Sequence, residues 1–149
     1  MGTYHKIIVG TDGSDTSMRA VDRAASIAAD NDAQLLIVTA YQPASKQEVN
    51  AAADALKQDA FLVVGSAPAE SVLRDATARA YSGGAHNVET LAVAGPPVEV
   101  LDRVVANYRA DMVVVGNVGL NTLTGRILGS VPQQVARRAG VDVLIVHTS

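Results

Sequence analysis

Two short stretches of this chain carry residue types that could hold a phosphorylated ligand. The first is Gly10-Thr11-Asp12-Gly13-Ser14. The second runs from Gly116-Asn117-Val118-Gly119 across nine residues to Gly129-Ser130. In the second, Gly119 and Gly129 permit positive φ and let successive backbone N–H groups converge on an anion. Gly116 keeps a strand end clear of a side chain that would block a ligand. Ser130 can cap a helix, and Gln133 three residues later completes a capping-box pattern. The start of such a helix offers unpaired N–H donors and partial positive charge, so a phosphate placed there needs no lysine. In the first stretch Asp12 has two readings that both stand. It is an acceptor for a ligand hydroxyl, or it is a turn and cap residue.

Other chemistries lack their patterns. The chain has no Gly-x-x-x-x-Gly-Lys-Ser/Thr, and no Gly-x-Gly-x-x-Gly follows its first apolar run. Ser14 and Ser130 are not flanked as nucleophiles in Gly-x-Ser-x-Gly. His5, His86 and His147 are far apart, without metal-ligand spacing, and are read as surface or strand-end residues. Arg137 and Arg138 are read on the solvated face of the last helix, and Tyr81 and Tyr108 as packing residues on helices.

These stretches need a scaffold, and the hydrophobic pattern supplies one. Lys6–Asp12, Gln34–Tyr41, Asn87–Ala94, Asp111–Gly116 and Val141–His147 read as strands. A helix follows Ser14, with Met18, Val21, Ala25 and Ala28 on one face. A second starts at Pro68, with Ala69, Val72, Leu73, Ala76 and Ala80 inward, and stops at Gly83–Gly84. A third follows Gly95-Pro96-Pro97, with Val98, Leu101, Val105 and Tyr108 on one face; a last begins at Ser130. Gln42–Ser66 yields no clear element. Strand and helix alternate, which predicts one α/β domain over 1–149: a mostly parallel sheet in a three-layer α/β/α arrangement. Both glycine-bearing stretches then fall beyond carboxyl ends of strands, where such folds bind ligands.

Composition agrees. The 149 residues suit one domain with a core of its own. Apolar residues make up 48% but aromatics only 3%, so Ala, Val, Leu and Ile fill the interior, as a buried parallel sheet requires. The net charge of −3, with no basic block and no run of aromatics, argues against a nucleic-acid partner. There is no cysteine, hence no disulfide or thiol chemistry. Neither a signal-peptide core nor an apolar run of spanning length is present, so the expectation is a cytoplasmic protein with no membrane partner.

On these residues the chain resembles the universal stress protein family. Gly116-x2-Gly119-x9-Gly129-Ser130 is similar to that family's ATP-binding signature, and Ile7–Ser14 to its first strand and turn. Gly95-Pro96-Pro97 resembles its Gly-x-Pro turn, and Val141–Val146 its last strand. The resemblance implies a five-stranded parallel sheet in the order 3-2-1-4-5, Rossmann-like in layout. It implies a homodimer built through the last strand, and adenine-nucleotide binding. By position, Gly10, Thr11 and Asp12 would border adenine and ribose, and Ala40 would offer backbone groups to the adenine edge. Val115, Gly116, Val118 and Gly119 would line the ribose and first phosphate. Gly129, Ser130 and Val131 would hold phosphate, with Arg126 the one cation of the loop.

One departure bears on the ligand. Pro132 stands where the family often has Ser or Thr, so up to two phosphate donors are missing. A triphosphate would need Mg²⁺ or further cations, whereas cyclic AMP or AMP asks less of the site. Cyclic AMP and ATP both stay open, with Mg²⁺ only in the ATP case. Three functions compete: a nucleotide-responsive or nucleotide-sequestering dimer in stress response, a slow ATPase or autophosphorylating enzyme, and an interaction protein with an empty site. Asp12 is the sole base in view and Arg126 the sole nearby cation, which favours binding over turnover.

Overall fold

The computed structural model describes residues 2–42, 66–117 and 130–147. The strands are β1 (Lys6–Gly10), β2 (Gln34–Tyr41), β3 (Val88–Ala94), β4 (Met112–Gly116) and β5 (Asp142–Val146). The helices among the described residues are α1 (Asp15–Asn31), α2 (Ser66–Ser82), α3 (Pro97–Tyr108) and α4 (Ser130–Arg138). The strands form one sheet in the order β3-β2-β1-β4-β5, all neighbours parallel. This is the order the family resemblance implies. Gln42–Ser66, unassigned from sequence, lies outside the described residues except for its end residues.

Alternation along the strands divides the core in two. Ile7, Val9, Leu35, Ile37, Met112 and Val114 face one side, where α1 and α2 cover them. Ile8, Leu36, Val38, Val113 and Val115 face the other, against α3 and α4. Both faces of the central strands are therefore buried, which is why they read as unbroken apolar runs. The helix faces follow the predicted stripes: Met18, Val21, Ala25 and Ala28 are buried on α1, as are Ala69, Leu73, Ala76 and Ala80 on α2. Alanine at these positions lets α1 and α2 lie close together over the sheet.

Several boundaries differ from expectation. β1 ends at Gly10 rather than Asp12, because the chain beyond Thr11 bonds into the turn before α1 instead of the sheet. β4 starts at Met112, which pairs with Ile7; the Asp111 carboxylate before it accepts from the backbone N–H groups of His5 (2.8 Å) and Lys6 (3.2 Å). α2 begins at Ser66, which places Pro68 in its first turn, where a missing N–H costs nothing. Tyr81 and Tyr108 are not packing residues: they are 52% and 36% exposed. Each stands in the last turn of its helix, and smaller neighbours such as Ala80, Val104 and Val105 make the core contacts instead.

Polar ties hold the periphery. Arg79 on α2 donates through Nε to Asp22 on α1 at 3.0 Å. His86 lies 2.6 Å from the Asp32 carboxylate, both exposed. The Tyr4 hydroxyl donates to Asp142 at the start of β5 (2.8 Å), and that bond holds the phenol proton, raising its pKa above the ordinary tyrosine value. Among the described residues no helix is long and apolar enough to cross a membrane.

Ile37 is fully buried at the centre of the sheet. Ile37→Ala should lower unfolding free energy by about 2–5 kcal/mol, whereas Tyr81→Ala should stay within about 0.5 kcal/mol. Urea unfolding followed by circular dichroism measures both.

Candidate functional site

β1 is the middle strand, and the chain leaves it first towards β2 and β3, then returns to add β4 and β5 on its other side. In sheets of this order ligands bind beyond the carboxyl ends of the strands that flank the reversal, here β1 and β4. Val9 pairs with Val114, so Gly10 and the Val115–Gly116 pair are the next residues out on adjacent strands. Ala40 lies two residues past Val38, the partner of Gly10, and is half-buried near the end of β2. The structure therefore brings Gly10, Ala40, Val115 and Gly116 to one edge of the sheet. A Cβ built on Gly10 would lie 3.4 Å from both δ-carbons of Leu101 on α3. The strand end rests against that side chain.

The turn after β1 is held by a closed set of hydrogen bonds. Ser14 is the N-cap of α1, and its hydroxyl accepts from the N–H of Ser17 at 3.2 Å. The Ser17 hydroxyl donates to the Ser14 carbonyl at 3.0 Å, and its oxygen accepts from the N–H of Asp12 at 3.3 Å. Thr11 Oγ1 stands 2.7 Å from Ser17 Oγ. Thr11 Oγ1 also lies 4.0 Å from Met18 Sδ, so either hydroxyl can donate in the Thr11–Ser17 contact. Thr11 Oγ1 in turn accepts from the N–H of Gly13 at 3.1 Å. The Asp12 carboxylate accepts from the N–H of Ser14 at 2.9 Å, and the N–H of Thr11 bonds to the carbonyl of Val38 at 3.0 Å.

This count decides what the turn can do. The amides of Thr11, Asp12, Gly13 and Ser14 all have internal partners, so none is left to cradle a phosphate. Thr11 is fully buried, with its side chain bonded into the protein. Asp12 is half-buried at the mouth of the turn.

On the β4 side, Asn117 N donates to the carbonyl of Val146 at 2.8 Å and carries the β4–β5 pairing one residue beyond Gly116. The Asn117 amide nitrogen and His147 Nδ1 lie 3.5 Å apart. Val118, Gly119, Arg126 and Gly129 lie outside the described residues. Ser130 and Val131 are the first two residues of α4, so the last helix begins at Ser130 as read from the sequence. Arg137 is exposed, and among the described residues no three His, Asp or Glu side chains gather as metal ligands. Sequence reasoning found Ser14 but missed Ser17, the buried partner of Thr11. The signal was there: a second serine three residues after the cap, six after Thr11.

The chain matches the model of the universal stress protein family over residues 3–147. It is 54% identical over 149 residues to a universal stress protein of Mycobacterium tuberculosis, covering all of both chains. It is 34% identical over 151 residues to a putative universal stress protein of Staphylococcus aureus, covering 99% of this chain and 87% of that one. Among solved structures it is similar to a universal stress protein crystallised in complex with cAMP: 47% identity, TM-score 0.77, 99% of this chain and 100% of that one. A universal stress protein from Lactobacillus plantarum shares the fold at 22% identity, with a TM-score of 0.79 over 98% of this chain and 99% of that one.

The turn also sets a mutational expectation. Gly13 has φ +87°, and a Cβ there would stand 2.7 Å from Val72 Cγ2 on α2. Gly13→Ala should therefore lose about 1–2 kcal/mol from the left-handed backbone alone, read as a lower urea midpoint.

Proposed function

The chain belongs to the universal stress protein family, and from that premise we propose that it binds an adenine mononucleotide, cyclic AMP before ATP, in the crevice between the ends of β1 and β4. The observation that carries this reading is the 47% identity, over essentially the whole of both chains, to a universal stress protein crystallised with cAMP. The bonding of the first turn supports a reading in which the two loops take different ends of the ligand. The amides after β1 are already bonded, so that turn suits the nucleoside. The phosphate belongs to the stretch from Gly116 to Ser130 and the start of α4, where N–H groups of a first helical turn lack helical partners.

The charge balance favours a single phosphate. Pro132 removes one N–H from the first turn of α4. Arg126 is the one cation of the stretch, and a cyclic monophosphate carries a single negative charge that needs no Mg²⁺. In this reading Gly10, Asp12 and Ala40 border the nucleoside, while Val115, Gly116, Val118 and Gly119 line the ribose and phosphate. Gly129, Ser130 and Val131 hold the anion. The protein then acts by occupancy, sequestering the nucleotide or responding to it, without efficient turnover.

The edge strand fits a homodimer. β5 has a neighbour on one side only, and Val143, Leu144 and Ile145 are each half-buried on the two faces of the sheet. A strand edge of this kind needs covering. A second copy pairing along Asp142–Val146 would supply the missing backbone partners.

Isothermal titration should give saturable binding of cyclic AMP below millimolar concentration, and Gly116→Val and Gly129→Val should each abolish it while leaving the circular dichroism spectrum unchanged. No saturation by cyclic AMP, AMP or ATP at millimolar levels refutes the site. Sedimentation at micromolar concentration should report a dimer; a monomer there refutes the β5 pairing.

A further inference from the structure

We propose that Thr11 and Ser17 are positioning residues for the ribose, holding Asp12 so that its carboxylate meets the one hydroxyl a 3′,5′-cyclic nucleotide retains. This rests on the nucleotide reading above. Neither hydroxyl touches the ligand, since Thr11 is fully buried and Ser17 only 5% exposed. Their effect passes through Asp12. The Asp12 backbone N–H bonds to Ser17 Oγ, and the Asp12 carboxylate bonds to the N–H of Ser14. Ser14 is in turn tied to Ser17 twice, through its carbonyl and its hydroxyl. Both the main chain and the side chain of Asp12 are thus referred to one buried oxygen.

That oxygen has no slack. It meets three partners at once: the Ser14 carbonyl, the Thr11 hydroxyl and the Asp12 amide. Thr11 completes the frame by accepting from Gly13, the residue on the far side of Asp12. Deleting the Ser17 hydroxyl leaves three buried or half-buried polar groups without this partner, and the turn must rearrange to satisfy them. The residue whose placement changes first is Asp12.

The ligand chemistry makes the role specific. In a 3′,5′-cyclic nucleotide both the 3′ and 5′ oxygens are esterified, so the 2′-hydroxyl is the single ribose donor. A carboxylate is acceptor-only and matches it. The test is a cycle between the protein and that hydroxyl. Calorimetric Kd values are measured for cyclic AMP and 2′-deoxy cyclic AMP on wild type, Ser17→Ala, Thr11→Val and Thr11→Ser, with urea midpoints recorded in parallel. Wild type should prefer cyclic AMP by about ten-fold, the worth of a hydrogen bond to a charged group. Ser17→Ala and Thr11→Val should lose most of that preference, and Thr11→Ser, which keeps the hydroxyl, should retain it.

If Ser17→Ala and Thr11→Val weaken both ligands equally and keep the preference, the pair is only structural and the proposal fails. If wild type binds both ligands equally well, the ribose contact fails while the nucleotide site survives. If wild type binds neither, the site reading itself fails. Should Ser17→Ala not fold, Thr11→Val, nearly unchanged in volume, decides the question.

Discussion

A parallel sheet buried on both faces needs a crossover after each strand, and every crossover needs a helix to cover a face. In this chain the first strand lies in the middle, so later strands must be laid down first on one side and then on the other. The helices α1 and α2 cover the face carrying Ile7 and Ile37, while α3 and α4 cover the face carrying Ile8 and Val113. In folds of this order the reversal, here between β1 and β4, leaves a gap where ligands bind. Burial of the sheet, a demand of the core, is thus what creates a place for a ligand at its edge.

Within that gap the deciding quantity is the number of unspent backbone donors. Two helices start near it, and both have the partial positive end that attracts anions. They are not equivalent. At α1 the hydroxyls of Thr11, Ser14 and Ser17 and the carboxylate of Asp12 take up the amides of Asp12, Gly13, Ser14 and Ser17. The same residue types that make a tight strand-to-helix turn thereby leave it fewer donors for a phosphate. α4 follows a glycine-bearing stretch, and that contrast divides the proposed site into a nucleoside side and a phosphate side.

The membership of this chain in its family rests on whole-length similarity, but the reason for its fold can be read in particular residues. The unbroken apolar runs at Ile7–Val9, Leu35–Val38 and Val113–Val115 have no polar face to turn to water, so they had to be interior strands of a parallel sheet. Ser14 and Gly13 fixed the start of α1, and Gly95-Pro96-Pro97 fixed the start of α3. The boundaries at β1 and β4 were not legible. They go with contacts that spacing does not show: Ser17 Oγ and Thr11 Oγ1 on the amides after β1, and the Asp111 carboxylate on the amides of His5 and Lys6. Nor was the exposure of Tyr81 and Tyr108, since helical periodicity names a face but not where the core beneath it stops.

From its amino acids alone this chain determined the alternation of strand and helix, the apolar faces and the two glycine-bearing stretches, because those depend on local periodicity and backbone freedom. Strand order, and with it the meeting of Gly10 and Gly116 at neighbouring strand ends, depends on crossovers that local pattern leaves open; here the family resemblance supplied the order and the strand pairing carries it. Only the tertiary structure decided how the donors and acceptors of the first turn are spent. Thr11 looks like a ligand residue in a list of letters, yet its hydroxyl meets Ser17 Oγ in the interior. Hydrogen-bond ownership is a matter of ångströms and angles, and residue spacing does not encode it.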